Sequence, residues 1–288
     1  MTDLKTLADK LLPGYQALRR AARTFADIQH ERILIGNRLS HGTTPSEEAV
    51  LAALAETEKV ARRLIEVVYA EAVSPGIIWW QERTPGISAY QLGRLLGEAG
   101  HPCIATPWRQ IDNPDFDPDR PQGMDNEKRI ALPGEPYVRT VSEWRQRCGN
   151  GKPGRVPKDA TQVDVLSFGL PGAKMVVHLM MESCWKLDGK PDKNGRGRGQ
   201  CSPYRTIAEE QKALYADRTH TGSCPGGYVS AGPGKVVFVK CKVMDGKKRL
   251  RYAEAGDPFQ RGHVQAIALR HAGKRMLEDL YEAALADL

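Results

Sequence analysis

Two long amphipathic segments near the start of the chain constrain its fold more than any other feature. Apolar residues recur at helical spacing from 15 to 39 and again from 45 to 72. The intervening sequence HGTTPSEE combines a capping box with a proline at the first helical position. Two such helices joined by a short turn predict an antiparallel helical hairpin over residues 1–75, with Pro13-Gly14 interrupting the first helix.

The apolar stripes of these two helices allow two kinds of packing. They can pack on each other within one chain or on a second copy of the chain, and the sequence does not choose between these arrangements. The stripe of the second helix consists of Leu51, Leu54, Ala61, Leu64, Val68 and Ala72. We expect a homo-oligomer that forms through residues 1–75.

Residues 76–101 have the pattern of a helix-hairpin-helix entry. Pro85-Gly86-Ile87-Ser88 predicts a tight turn that leads into a helix over 89–99. Small residues let the backbone turn sharply, so that N–H groups at the helix start face outward and can hold a phosphate. Gly86 and Ser88 are therefore candidate phosphate contacts, and a purely structural hairpin is the alternative.

The rest of the chain predicts a compact helical domain interrupted by irregular segments. Residues 102–137 are rich in proline, aspartate and asparagine without any period, which indicates a loop-rich insertion. Helical patterns then dominate 138–288, apart from an insertion over 188–258 that contains a strand-like KVVFVKCKV segment. The predicted fold class is mainly α, with a small β insertion resembling a zinc knuckle.

Charge is distributed unevenly along the chain. The net charge is +7, yet residues 120–275 hold 29 basic side chains against 15 acidic ones, whereas residues 1–119 hold 13 against 16. A basic region of this kind attracts polyanions through phosphate neutralisation and counterion release. Nucleic acid is therefore the first partner to consider, and a solvated basic surface without a partner is the alternative.

The candidate nucleic-acid contacts lie at the hairpin turn and in the basic region. Lys174 falls in the first turn of a predicted helix, where the macrodipole disfavours a cation, so it indicates either a ligand phosphate or a snorkelling surface lysine. The complete set is Gly86, Ser88, Arg145, Arg147, Lys152, Arg155, Lys174, Arg196, Arg198, Lys247, Lys248, Arg249, Arg270 and Lys274.

Six scattered cysteines suggest reduced thiols or a metal site more than a disulfide framework. His220 and Cys224 are spaced H-x3-C in a glycine-rich loop, with Cys201 before them and Cys241 after them. These four residues are the candidate ligands of a structural zinc ion, which would hold a small basic finger in place. The remaining three cysteines predict buried thiols.

No stretch of the sequence has the length and apolar character of a membrane span, and the first residues lack the pattern of a secretory signal. We therefore expect a cytoplasmic protein that does not contact a membrane.

Five segments, in this order, resemble the C-terminal part of DEDD-type insertion-sequence transposases and the related Piv-type DNA invertases. The segments are ERILIGNRLSH, TPGISAYQLGRLLGEAGHP, SEWRQRCGNGKP, SFGLPGAKMVVHL and HVQAIALRHAGKRMLEDLY. The resemblance extends over about residues 15–288. It implies a DNA-binding protein in which a coiled-coil segment precedes a helix-hairpin-helix entry and a transposase domain.

The resemblance does not extend to the catalytic groups. In that family, four carboxylates of a RuvC-like domain and a serine of the transposase domain share catalysis. No βαβ-patterned segment with spaced carboxylates precedes the hairpin, and the loop GNGKPGRVPKDATQ contains no serine where the family has one. Thr161 and Ser167 are the nearest hydroxyl groups, without an activating base nearby in sequence. We therefore expect no autonomous catalysis.

Three functional hypotheses follow. The first is a nucleic-acid-binding module that holds duplex DNA, or a structured RNA, on its basic region. The second is an oligomeric scaffold or adaptor whose basic surface serves only solubility. The third is a recombinase subunit that works with a separately encoded RuvC-like nuclease.

Overall fold

The computed structural model of the chain is mainly α-helical, as the sequence predicts. It describes residues 3–39, 44–112, 129–151, 169–189, 200–224, 227–232, 235–244 and 250–288. Within these residues the helices are α1 (Leu4–Arg38), α2 (Pro45–Ala72), α3 (Pro75–Glu82), α4 (Ala89–Ala99), α5 (Val141–Arg147), α6 (Pro171–Lys186), α7 (Pro203–Tyr215) and α8 (Arg261–Leu285). No helix in this part of the chain is long and apolar enough to cross a membrane.

The first two helices form the predicted antiparallel hairpin. Near the turn, Arg32 Nε lies 2.5 Å from a carboxylate oxygen of Glu58. At the other end, Gly14 packs so closely on α2 that an added Cβ would lie 2.8 Å from Cβ of Ala72. Contacts at both ends show that the two helices pack along their shared length. The buried residues of α2 are Ala61, Ile65 and Tyr69, so the apolar core of the hairpin lies in the half away from the turn.

Of the two local features that the sequence predicts for this hairpin, one is confirmed and the other is wrong. The predicted capping box is present, because Thr44 and Glu47 each accept the other's backbone N–H through their side chains. The predicted interruption at Pro13-Gly14 was wrong, since α1 continues through Pro13. A proline inside a helix removes one backbone hydrogen bond, and the close packing of this turn on α2 offsets that local cost.

One cluster of buried residues joins helices from all parts of the chain. It contains Leu18 of α1, Leu92 of α4, Trp144 of α5 and Met276 of α8, each with 0% exposure. The hairpin over 1–75, the helix-hairpin-helix segment and the C-terminal domain therefore share a core. Because α8 contributes the most members to the buried set, the last helix of the sequence lies at the centre of the fold.

Short antiparallel strand pairs complete the described structure. The strands are β1 (Ile104–Ala105), β2 (Trp108–Asp112), β3 (Arg129–Pro133), β4 (Tyr137–Val138), β5 (Gly227–Gly232), β6 (Lys235–Val239), β7 (Lys242–Met244) and β8 (Leu250–Tyr252). The pairs are β1 with β4, β2 with β3, β5 with β6 and β7 with β8. The first two pairs lie where the sequence predicts a loop-rich insertion, because strands of two to five residues leave too little alternation to detect. The last two are the predicted small β insertion.

A buried histidine beside β1 makes the stability of this core sensitive to acid. His101 is 1% exposed, and its Nδ1 accepts the backbone N–H groups of Cys103 at 3.0 Å and Ile104 at 3.1 Å. Burial, with a further contribution from the charge of Arg139, lowers the pKa of His101 from 6.5 to about 4. The unfolded chain therefore binds this proton more readily than the folded protein between these two pH values.

We expect the free energy of unfolding to be retained above about pH 6.5 and to fall by on the order of 2–3 kcal/mol towards pH 4 on account of this residue. His101→Asn keeps an acceptor for the local N–H groups but does not titrate, so it is the matched variant. Denaturant titrations at about pH 7 and pH 4.5 measure the difference. An equal loss of stability in both proteins on acidification would contradict the assignment.

Candidate functional site

Four metal-binding side chains from separate parts of the C-terminal region meet in one buried cluster. His220 and Cys224 lie between α7 and β5, Cys241 lies between β6 and β7, and His263 lies in the first turn of α8. Their ligand atoms all lie within 4.8 Å of one another. These four residues, which we call the Cys2His2 cluster, could hold a metal ion such as zinc.

The distances in the Cys2His2 cluster fit a tetrahedral ion. His263 Nδ1 lies 3.0 Å from Cys241 Sγ and 3.5 Å from Cys224 Sγ. With Zn–S bonds of about 2.3 Å and Zn–N bonds of about 2.0 Å, tetrahedral ligand atoms are separated by about 3.3–3.8 Å. Small side-chain adjustments are therefore sufficient to seat the ion. His220 Nε2 is buried without a hydrogen-bond partner, and a metal would give this orphaned atom its partner.

Backbone hydrogen bonds bring the two cysteine-bearing loops together. The Cys224 N–H donates to the Ala253 carbonyl at 3.0 Å, and the Ala253 N–H donates to the Cys241 carbonyl at 2.9 Å. The His220 N–H donates to the Asp257 carbonyl at 2.8 Å. Backbone hydrogen bonds to the segment that follows β8 therefore position three of the four ligands.

Side chains around the cluster support the two histidines. The Phe259 ring lies against both imidazoles, with its centroid 4.4 Å from that of His220 and 4.9 Å from that of His263. Arg251 donates two hydrogen bonds to the Asp257 carboxylate, at 2.6 and 3.0 Å, and these hold the pKa of that carboxyl below its usual range. The Phe259 contacts restrict the ring orientations, as expected of residues around a metal site.

Burial favours the neutral forms of three of the cluster side chains. It lowers the pKa of His220 and, with a smaller contribution from the neighbouring imidazole, that of His263. Burial also raises the pKa of the Cys241 thiol. Neutral imidazoles are the form that binds metal, and a bound cation would displace the thiol protons.

Three of the four ligands predicted from the sequence belong to the cluster. The fourth, Cys201, is exposed, and its Sγ contacts the Ser202 carbonyl at 3.7 Å outside the cluster. The structure places His263 there instead. The sequence analysis missed His263 because it lies 39 residues after Cys224, inside a strong helical pattern that accounts for it without a ligand role. Its position at a helix start, directly after the β insertion, was the available signal.

Four of the predicted nucleic-acid contacts come together from three helices. Arg145 lies on α5, Lys174 on α6, and Arg270 and Lys274 on α8. Burial, with a contribution from Arg270, lowers the pKa of Lys174 to about 8. Burial and the charges of Arg270 and Arg145 lower the pKa of Lys274. In these four residues, which we call the cation cluster, the charges of the arginines are therefore close enough to lower the pKa values of the two lysines.

The cation cluster has both satisfied and unsatisfied donors. Arg270 donates to the Gly151 carbonyl at 3.0 Å, but its buried Nε has no hydrogen-bond partner. Arg145 is paired with Glu278, with 2.5 Å between the guanidinium and the carboxylate. Among the described residues, the Glu278 carboxylate thus faces the cluster, and it shares its charge with Arg275 at 3.7 Å.

The other described candidates have structural partners. The Arg147 Nε donates to the Ala99 carbonyl at the end of α4 at 2.5 Å. The Ser88 hydroxyl accepts the backbone N–H of Gln91 in the N-terminal cap of α4. Gly86 is half-buried, and its backbone abuts α6. Their roles as phosphate contacts stay predictions.

The remaining candidate residues lie outside the described part of the chain. They are Lys152, Arg155, Arg196, Arg198, Lys247, Lys248 and Arg249, together with the hydroxyl residues Thr161 and Ser167.

No protein family model, curated protein or solved structure matched the chain. The resemblance to transposases and invertases therefore stays a prediction.

Proposed function

We propose that the chain is a nucleic-acid-binding protein in which a structural zinc ion fixes a basic C-terminal region. The observation that carries the zinc part of the proposal is the closed donor set of the Cys2His2 cluster. The four side chains are enough to fill all four positions of a tetrahedral ion, and all four residues are buried. No position is left for a substrate, which is the property that separates structural from catalytic zinc sites.

The zinc ion would join the β insertion to α8. Three ligands belong to the segment between α7 and β7, whereas His263 belongs to the first turn of α8. The β5–β6 and β7–β8 pairs are too small to be stable alone, because isolated two-stranded hairpins bury little apolar surface. A metal ion supplies the missing stability and sets the position of the insertion on the helix.

The cation cluster supports nucleic acid as the partner. Basic side chains from three helices converge: besides burial, the charge of Arg270 lowers the pKa of Lys174 and of Lys274, and that of Arg145 contributes at Lys274. Bringing these like charges together costs free energy in the isolated protein. A phosphate backbone would supply the opposing charge. Arg270 lies seven residues after the zinc ligand His263 on the same helix, about 10 Å along its axis. Duplex DNA is the partner that we expect.

The test is an anisotropy titration of a labelled DNA duplex across salt concentrations. We expect the affinity to fall steeply between about 50 and 200 mM salt. The double variant Arg270→Gln and Lys274→Gln should weaken binding by about tenfold or more and reduce the salt slope by about two, because two phosphate contacts are lost.

Arg275→Gln is the matched control for this titration. Arg275 lies on the same helix, but it is half exposed and is paired with Glu278 and Asp279, so its loss should change the affinity little. Salt-independent binding, or equal effects of the control and the double variant, would contradict the proposal. A structured RNA hairpin of equal charge, titrated in parallel, distinguishes the two nucleic acids.

A further inference from the structure

Helix α2 has two apolar faces, and in the described part of the structure only one of them is buried. Ala61, Ile65 and Tyr69 are buried against the rest of the molecule, with exposures of 5%, 0% and 2%. The second face is exposed: Val60 is 64% and Val67 is 54% accessible. Exposed apolar residues are ordinary when they are single, but a continuous row on one helix marks an interaction surface.

The exposed row has the spacing of a coiled-coil seam. It consists of Val50, Ala53, Thr57, Val60, Leu64 and Val67, all exposed. Successive members are three and four residues apart in strict alternation, which is the a/d pattern of a heptad repeat. A row with this period keeps facing one partner helix over its whole length, about 26 Å. The pattern therefore points to a second helix rather than to a flat surface.

We propose that a second copy of the chain covers this face, with the two α2 helices packed antiparallel about a two-fold axis. The register that pairs Val50 with Val67 of the second copy also pairs Ala53 with Leu64 and Thr57 with Val60. Every member of the row then finds a partner within the row. Because both copies use the same surface, the interface is complete in a dimer and leaves no equivalent surface for a third copy.

Charge supports both the antiparallel direction and the register. Glu56 and Arg63 are exposed, seven residues apart, and flank the row on one side. In an antiparallel pair these flanking positions face each other, so Glu56 of each copy meets Arg63 of the other. A shift of the register by one heptad would bring Arg63 against Arg63 instead. In a parallel pair Glu56 would face the apolar opposite flank, where Ala61 lies.

The first test is the mass of the full chain in solution by sedimentation at several concentrations. We expect a dimer, and Val60→Glu with Leu64→Glu should raise its dissociation constant by about a hundredfold or more, because apolar contacts are replaced by buried charge. Ala52→Glu adds a carboxylate to the same helix outside the row and should leave the dimer intact. A monomer at all concentrations, or a dimer unaffected by the Val60 and Leu64 substitutions, overturns the proposal.

The second test fixes the orientation by cysteine cross-linking. In a Cys201→Ser background, which removes an exposed thiol, Val50→Cys with Val67→Cys should form interchain disulfides under mild oxidation, because the two positions face each other across the axis. Within one chain these positions are about 26 Å apart, so they cannot link to each other. Each single variant should stay unlinked, since in an antiparallel dimer it is also about 26 Å from its own copy. Linked single variants would indicate a parallel pair and would overturn the proposed arrangement.

The third test is a charge exchange. Glu56→Arg alone, or Arg63→Glu alone, should weaken the dimer several-fold because like charges then meet, whereas the two substitutions together should restore it. Additive weakening in the double variant would count against the proposed register. This interface stands independently of nucleic-acid binding, since all of its residues lie on α2 and none belongs to the cation cluster.

Discussion

Replacement of Cys241 by serine is expected to release the zinc ion and to unfold the β insertion. A zinc site with this donor set contributes on the order of 10 kcal/mol to the structure that holds it, because the unfolded chain offers no preformed site. Cys241 is buried in the cluster, and its carbonyl also accepts the Ala253 N–H. We expect the wild-type chain to bind one zinc ion and the variant to bind none.

Metal content and hydrogen exchange measure this effect. Elemental analysis gives the zinc content, and exchange should accelerate between residues 218 and 260 in the variant, with a loss of thermal stability of at least about 10 °C if this region unfolds cooperatively with the rest. Cys201→Ser is the matched control, because that thiol is exposed and lies outside the cluster. A wild-type chain that is purified and reconstituted without binding zinc would contradict the metal site.

Gly86→Ala is expected to destabilise the fold by about 3–4 kcal/mol. Gly86 has a φ of 95°, a conformation that costs about 1–2 kcal/mol for a residue with a Cβ. The added Cβ would also lie 2.8 Å from Cα and 3.0 Å from Sγ of Cys184, so α6 would have to move away from the turn before α4. Overpacking of this kind costs a further 1–3 kcal/mol or so. Denaturant unfolding measures the sum.

Gly189→Ala separates the two contributions. Gly189 has a φ of 70°, but the nearest atoms to its added Cβ, those of Cys201, lie 3.8 Å away. This variant should therefore show only the backbone cost, about 1 kcal/mol. Equal destabilisation by the two substitutions would show that the contact between Gly86 and α6 is not tight. A loss of DNA affinity in folded Gly86→Ala, beyond that of Gly189→Ala, would support the predicted phosphate contact.

Local sequence signals predicted most of the helices correctly, because helices depend on residues three and four positions apart. The capping box at Thr44 marks the start of α2, and the turn Pro85-Gly86-Ile87-Ser88 leads into α4 as predicted. The prediction of a break at Pro13 was wrong, because it considered only the local cost of a proline inside a helix. The packing of Gly14 on Ala72 involves residues far apart in the sequence, and no local pattern contains it.

The candidate site was likewise predicted only in part from local sequence signals. The H-x3-C spacing was enough to nominate His220 and Cys224, and Cys241 was nominated as the cysteine that follows this pair in the sequence. The choice between Cys201 and His263 as the fourth ligand required the position of α8 relative to the β insertion. Likewise, the sequence nominated all four members of the cation cluster but gave no reason why they, rather than other basic residues, should meet.

The sequence by itself determined that the chain is mainly helical, that its first two helices form a hairpin, and that its positive charge lies in the C-terminal half. Only the tertiary structure decided which face of α2 is buried and which histidine completes the Cys2His2 cluster. The sequence pattern put Leu64 on one stripe with Ala61, yet Leu64 is 47% exposed while Ala61 is buried, and Ile65, outside that stripe, is fully buried. The physical reason is that periodicity reveals an apolar face, whereas burial depends on which distant segment packs against it.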